Sequence, residues 1–340
     1  MSGASDNNGV SHPNFAAMTE APRMLQSAVM ATVVVAAFYK FVGLPDFATL
    51  QAPIETLCRA QGIKGTVLLA EEGINSTVAG PRAGIDALLG YLRGMPAFAE
   101  LEAKESFCST LPFHRLKVRL KKEIVTIGDR SVSPTARVGT YVEPQDWNAL
   151  IGDPSVFVVD TRNTYETRLG TFAGAADPNI DNFTDFPIWV RQNLDPTRHT
   201  KIAMYCTGGI RCEKASSLLL QEGFPQVFHL KGGILKYIEE IPAERSTWQG
   251  ECFVFDQRVS IDHALAPGSH ALCYGCQEPL SSNELKSPQF EQGVCCPRCF
   301  GRDTPEVLAG RRERARQVAL ATARGESHLG DDALPSVKRL

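Results

Sequence analysis

The 340-residue chain predicts an α+β domain, then a mainly parallel α/β domain, then a small cysteine-rich extension. Three observations carry this. Up to about Gly128 the patterns run strand-helix-strand-strand-helix-strand. Beyond a turn-rich linker, short apolar strands alternate with helices, and one of them runs straight into Cys206. Near the C-terminus two Cys-x-x-Cys pairs stand where apolar periodicity fades. The length exceeds one ordinary core, and the net charge of -3 gives no global signature of a nucleic-acid binder, so any such footprint is local. Ten cysteines in tight spacings, with no convincing export signal, favour reduced thiols and metal binding.

The first residues, "MSGASDNNGVSHPNF", are polar and rich in turn formers and read as a disordered tail. "SAVMATVVVAAF" is too short for a membrane span of roughly 20 residues, and its Val-rich centre reads as a buried strand. "PDFATLQAPIETLCRAQG" reads as a helix stopped by Gly62, followed by the strands "KGTVLLAEEG" and "NSTVAG". "PRAGIDALLGYLRGM" is a second helix with Pro81 near its start, and strand material follows from Leu101 to Ile127. This order is the split βαβ of a ferredoxin-like domain. In "FHRLKVRLKKE", Arg115, Lys117, Arg119 and Lys121 alternate with Leu116, Val118 and Leu120. Period 2 puts the cations on one face, as a phosphate-contact stripe or a solvated sheet face.

"DRSVSPTARVGTYVEPQ" reads as the linker. "SVFVVDTR" is a buried strand ending at Asp160, "YETRLGTFAGA" a polar turn, and "FTDFPIWVRQNL" a helix. "KIAMYC" is a second buried strand, the helix from about Arg211 to Glu222 ends at Gly223, and "QVFHLKGGILKYIEEI" adds strand, Gly-Gly turn and helix. A parallel sheet gathers its sites at the carboxyl ends of strands, where Cys206 lies. In "CTGGIR", helix-start amides, two glycines and Arg211 favour negative charge and hold Cys206 as a thiolate. A buried structural cysteine is the alternative. Such loops serve phosphate-ester cleavage, sulfur transfer or thiolate attack on another electrophile. Phosphatase loops typically place the arginine six residues after the cysteine and this chain places it five after, which disfavours a phosphate cradle.

"VVDTRNTYE", "GTFAGA", "YCTGGIR" and "VFHLKGGILKY" resemble the successive signatures of a rhodanese domain over about residues 138–255. "CTGGIRCEKAS", with the ferredoxin-like domain before it and the cysteines after it, resembles the prokaryotic tRNA uridine 5-hydroxylase family over roughly residues 30 to 325. The resemblance implies an oxidoreductase that converts the wobble uridine of tRNA to 5-hydroxyuridine with molecular oxygen as co-substrate, Cys206 being the active cysteine. A thiolate adding at C6 would make C5 enolate-like, which splits one hard step into two. In the rival sulfurtransferase reading Cys206 carries a persulfide. Cys212 is either a resolving thiol or a helix residue that packs locally. Asp160 and Arg162 are expected to organise the loop or support Arg211, and Glu166 and His229 to be structural or surface residues.

Cys273-x-x-Cys276 and Cys296-x-x-Cys299, with 19 residues between them, fit a structural zinc ribbon, leaving Cys295 spare; disulfides or free thiols are the alternative. The helical segment "GRRERARQVALATAR" puts Arg311, Arg312, Arg314 and Arg316 either on phosphates or on a charged terminal helix. No flavin or nicotinamide fingerprint and no iron triad is found, so no organic or iron cofactor is predicted. The expected organisation is a disordered tail (1–30), a ferredoxin-like, acylphosphatase-like domain (31–130), a rhodanese-like domain (138–255), a cysteine-rich extension (256–325) and a second disordered tail (326–340). The chain is expected to be cytoplasmic, with tRNA as its partner, no membrane and no stable protein partner.

Overall fold

The computed structural model describes residues 33–324; the two tail assignments, 1–30 and 326–340, lie outside them. The first domain comprises β1 (Val33–Phe41), α1 (Gln51–Ala60), β2 (Lys64–Ala70), β3 (Gly73–Pro81), α2 (Arg82–Arg93), β4 (Lys104–Cys108) and β5 (Leu116–Leu120). Its sheet order is β4-β1-β3-β2-β5, antiparallel except where β5 joins β2 in parallel. Alternation divides β1 cleanly. Val34, Ala36 and Phe38 enter the core with Ile54 of α1 and Ile85, Leu88 and Leu92 of α2. The residues between them, Val35, Ala37 and Tyr39, face the opposite way.

That opposite face is continuous across all five strands. Register aligns Lys104, Ala37, Thr77, Thr66 and Lys117 in one rung, and Tyr39, Asn75, Leu68 and Arg119 in the next. Directly paired residues project to one side of a sheet, so Lys117 and Arg119 share a face with Tyr39 and Lys104. Leu116 and Val118 are buried as alternation requires, but Leu120 is 41% exposed, because β5 is an edge strand that ends there.

The second domain contains β6 (Thr140–Val142), α3 (Pro144–Ile151), β7 (Phe157–Asp160), α4 (Thr164–Thr167), β8 (Gly170–Phe172), α5 (Phe186–Asn193), β9 (Lys201–Tyr205), α6 (Ile210–Gln221), β10 (Gln226–Leu230) and α7 (Gly233–Glu240). The parallel sheet runs β6-β10-β9-β7. Two local expectations are corrected. The linker supplies the edge strand β6, because its "TYV" meets the free edge of β10. The polar turn after Asp160 contains α4, which a capping box between Asn163 and Glu166 nucleates, and β8, which pairs with β11 (Trp248–Gly250). Beyond lie the two-residue strands β12 (Cys252–Phe253), β13 (Ser260–Ile261), β14 (Ala271–Leu272) and β15 (Pro279–Leu280), then α8 (Ser282–Leu285) and α9 (Pro305–Ala323). Among the described residues no helix is long and apolar enough to cross a membrane.

One buried cation ties the two sheets together. Lys214 of α6 is fully buried, and its ammonium lies 2.5 Å from Glu123 and 2.8 Å from Glu72 of the first domain. Removing one partner from a buried ion pair leaves a charge that neither water nor protein compensates. Lys214→Ala should therefore destabilise the protein by about 3–5 kcal/mol in denaturant unfolding. A loss below about 1 kcal/mol, the median for an exposed pair, would mean that the cluster is solvated.

Candidate active site at the Cys206 loop

β9 delivers Cys206 at its carboxyl end, and α6 begins four residues later. Gly209, at a φ of 99°, is the N-cap of α6 and turns its amide back onto the Cys206 sulfur at 3.1 Å. The left-handed backbone there suits glycine, and a Cβ would strike the Tyr39 hydroxyl at 2.9 Å. The Gly-Gly turn before α7 serves the same loop. A Cβ on Gly233 would lie 2.4 Å from the Cys206 carbonyl, and with that space free the amides of Ile234 and Leu235 donate to the carbonyls of Cys206 and Thr207 at 3.0 and 3.1 Å.

Beneath the loop is a chain of buried charges. Arg211 grips Glu166 through two hydrogen bonds of 2.5 and 2.7 Å, and Glu166 also accepts from the Thr207 hydroxyl at 3.1 Å. Arg162 donates to both oxygens of Asp160 and reaches the carbonyls of Glu166 and Gly170. Asp160 and Arg162 thus organise the loop's support. Glu166 belongs to the site itself, which sequence reasoning missed. Its signal was its position in the resembling Asp-x-Arg-x-x-x-Glu turn. Burial alone would raise the Glu166 carboxyl, but Arg211 and then Arg162 hold it below its usual value.

The same balance acts on sulfur. Burial works to raise the Cys206 thiol; hydrogen bonding from Cys212, the Arg211 charge and backbone amides outweigh it and bring it well below the ordinary thiol range. Cys212, which is equally buried and also near the Thr161 hydroxyl (3.6 Å), is driven the opposite way by burial and by its bond to Cys206. The structure therefore brings Cys206, Arg211 and Cys212 together, and their surroundings favour the thiolate on Cys206 over one on Cys212. His229 lies apart, buried against Tyr141 at 4.3 Å and pushed down to about 4 by burial.

Above the loop is a cavity of about 500 Å³, walled on one side by Cys206, Thr207, Gly208, Ile210 and Arg211 and on the other by the open sheet face of the first domain. That sheet brings in residues no sequence signal connected with Cys206. The Lys104 ammonium donates to the Gly208 carbonyl at 2.8 Å and lies 5.4 Å from the Tyr39 ring centre. Burial lowers its affinity for protons, which the negative Cys206 partly restores. Tyr39 and Tyr141 both donate to Glu213, at 3.1 and 2.7 Å. Phe255, 56% exposed, stands over Arg211 at 6.0 Å and completes the cavity wall.

Of the other anticipated residues, Arg115, Lys117, Arg119 and Lys121 lie on or beside the exposed edge of the same sheet. None of the four forms an ion pair among the described residues. Burial and then the charges of Arg115 and Arg119 lower Lys117 from its ordinary value, the mark of a crowded cationic patch. The α9 arginines differ. Arg311 pairs with Asp303, Arg312 with Glu291 and Arg316 with Glu313, the pattern of a charged terminal helix.

A buried cysteine on a rhodanese-type loop, closed over by an acylphosphatase-like sheet, defines a two-domain protein with a candidate thiol site. Family models agree: residues 33–124 match the UPF0176 acylphosphatase-like domain and residues 143–240 the rhodanese-like domain. The chain is 56% identical over 296 residues to a tRNA uridine(34) hydroxylase of Rhizobium etli, covering 87% of this chain and 96% of the relative. It is also 56% identical over 310 residues to the one of Albidiferax ferrireducens, covering 90% and 97%. Among solved structures, the rhodanese-like domain of an Anabaena protein matches at 23% identity over 33% of this chain and 80% of that one, with a TM-score of 0.27. The chain belongs to the tRNA uridine(34) hydroxylase family.

The thiolate has a kinetic signature. Below its own pKa a thiol loses reactivity about tenfold per pH unit, while above it the rate is flat. Iodoacetamide should therefore alkylate Cys206 at a rate nearly independent of pH from neutral to alkaline conditions. In Arg211→Met the rate should rise with pH through that range. Peptide mass mapping of the Cys206 adduct measures both, and a wild-type rate that rises like a free thiol's would overturn the assignment.

Proposed function

We propose that the protein hydroxylates C5 of the wobble uridine of tRNA, with Cys206 as nucleophile and molecular oxygen as the oxidant. The observation that carries this reading is the cavity itself: a buried thiolate facing about 500 Å³ of space, a size suited to one extruded nucleotide. An enzyme acting on a base must take it out of its stack. Phe255 and Tyr165 offer the wall on which a pyrimidine can stack, and Lys104 offers a cation for the uracil oxygen that gains charge.

In this scheme the Cys206 sulfur bonds to C6 and an electron pair moves onto C5 and O4. C5 then bonds to oxygen, loses its proton, and expels the thiolate. One oxygen atom stays on C5 and the other leaves as water, which consumes two electrons and two protons from an external reductant. Cys212, whose thiol burial and the Cys206 bond keep protonated, would return a proton to sulfur or meet an oxidised Cys206.

The cationic edge supplies the second part of the reading. Thr66 and Leu68 line the cavity, and each is paired directly with Lys117 or Arg119 on β5, one strand spacing of about 4.8 Å away. A nucleotide in the cavity would have its neighbouring phosphates over these cations. Net charge gives no hint of this, because the patch is local.

Two experiments follow. In a deletion strain complemented with Cys206→Ser, tRNA nucleosides should lack 5-hydroxyuridine as completely as in the uncomplemented strain. Retained 5-hydroxyuridine would remove Cys206 from the mechanism, and loss of a thiolated base in its place would establish sulfur transfer. Lys117→Glu with Arg119→Glu should weaken tRNA binding and lower the salt slope of log affinity by about one unit per lost phosphate contact. Unchanged affinity and slope would return the stripe to a solvated sheet face.

A further inference from the structure

We propose that Cys273, Cys276, Cys296 and Cys299 bind one zinc ion that holds the C-terminal extension against the active-site domain. The four sulfur atoms lie within 4.8 Å of one another. Cys276 and Cys296 are 3.7 Å apart, Cys296 and Cys299 3.8 Å, and Cys273 and Cys299 3.9 Å. Four thiolates at about 2.3 Å from a tetrahedral zinc stand about 3.8 Å from each other, so these separations match a coordination sphere. A disulfide needs about 2.05 Å, and two of these sulfurs are shared between neighbours in a way two disulfides cannot reproduce.

The chain around the sulfurs is bent for this purpose. Cys273 and Cys276 sit in the turn between β14 and β15, where Gln277 adopts a φ of 65° despite its side chain. A Cβ on Gly275 would meet the Val294 carbonyl at 2.3 Å, so the first knuckle packs on the second. The Cys296 amide donates to the Cys299 sulfur at 3.3 Å, as an amide does to a thiolate ligand. Cys295 turns away, donating to the Gln289 carbonyl at 3.6 Å, which settles the ligand choice between the two adjacent cysteines. With four protein ligands the sphere is closed and the metal structural.

The surrounding apolar core explains the need. Besides cysteines its fully buried members are only Leu280 and Val294, too few to order this segment by burial. The ordered segment has a task. Leu272 packs with Tyr165 and Leu169 beside α4, and Glu278 pairs at 2.7 Å with Arg168, the residue that ends α4. α4 carries Glu166, so the ribbon backs the wall that orients Arg211. Binding releases the protons of the thiols that are not yet ionised.

Elemental analysis of the full chain, purified reduced, should find about one equivalent of zinc, and cobalt exchange should give the intense visible bands of a tetrahedral tetrathiolate. Cys276→Ser and Cys296→Ser should lose the metal, whereas Cys295→Ser and Cys206→Ser should keep it. Should the ligand variants fail to fold, a mercurial titrated into the wild-type protein, with Cys206 already alkylated, should release the zinc as these four thiols react. Less than about a tenth of an equivalent of zinc, iron in its place, or loss of metal in Cys295→Ser would each overturn the proposal.

Discussion

The Arg211–Glu166 pair is the interaction on which the site depends. An arginine beside a thiolate is useful only if it is held still, and a lone guanidinium in a water-free loop would be costly to bury. Glu166 answers both needs, with a two-point grip on Arg211 and a third bond to Thr207 inside the loop. The carboxylate also subtracts from the positive charge that sulfur feels. The thiol nevertheless stays low, because Cys212 and the amides of the helix start add local donors that Glu166 does not touch. Arg162 and Asp160 then fix α4, so the chain of alternating charges runs from one strand end to the other.

A second constraint explains why the signature extends past the usual loop. In "CTGGIRCEKAS" the residues Glu213 and Lys214, which follow Cys212, hold the first domain. Glu213 accepts from Tyr39, and Lys214 enters the Glu72–Glu123 pocket. These contacts press the open sheet face onto the thiolate and create the cavity between them.

The element types were legible because their patterns are local. β1, α2, β9 and α6 follow from alternation, helical stripes and punctuating glycines. The four-cation stripe was legible for the same reason, since period 2 needs only one strand. Short elements were not: β6 exists because β10 has an open edge, and α4 because Glu166 caps it, and neither fact is visible in composition. Of the site, Cys206 and Arg211 were readable from one contiguous loop. Lys104 and Tyr39 were not, lying in the first domain, and neither was Phe255, which lies beyond β10, α7 and β11. Their pairing with the loop comes from register and docking, which sequence spacing does not encode.

The proposed chemistry on a base requires that the nucleophile be dry and that the substrate arrive charged and wet. The structure separates these demands in space. Cys206 has no solvent-exposed surface, whereas the cations that meet no acid lie on the outer edge of the same sheet. Rungs of side chains lead from one to the other: Lys117 to Thr66, Thr77, Ala37 and Lys104, graded from a half-buried cation through small neutral residues to a desolvated cation. In the proposed reaction a phosphate backbone at the edge would keep its water and counter-charge, and only a base, neutral and flat, would cross the neutral middle. On that reading attraction would act where phosphate is, and the low dielectric where carbon is to be attacked. One sheet face does both because its strand order runs from β5 at the cationic edge to β1 and β4 beside the Cys206 loop.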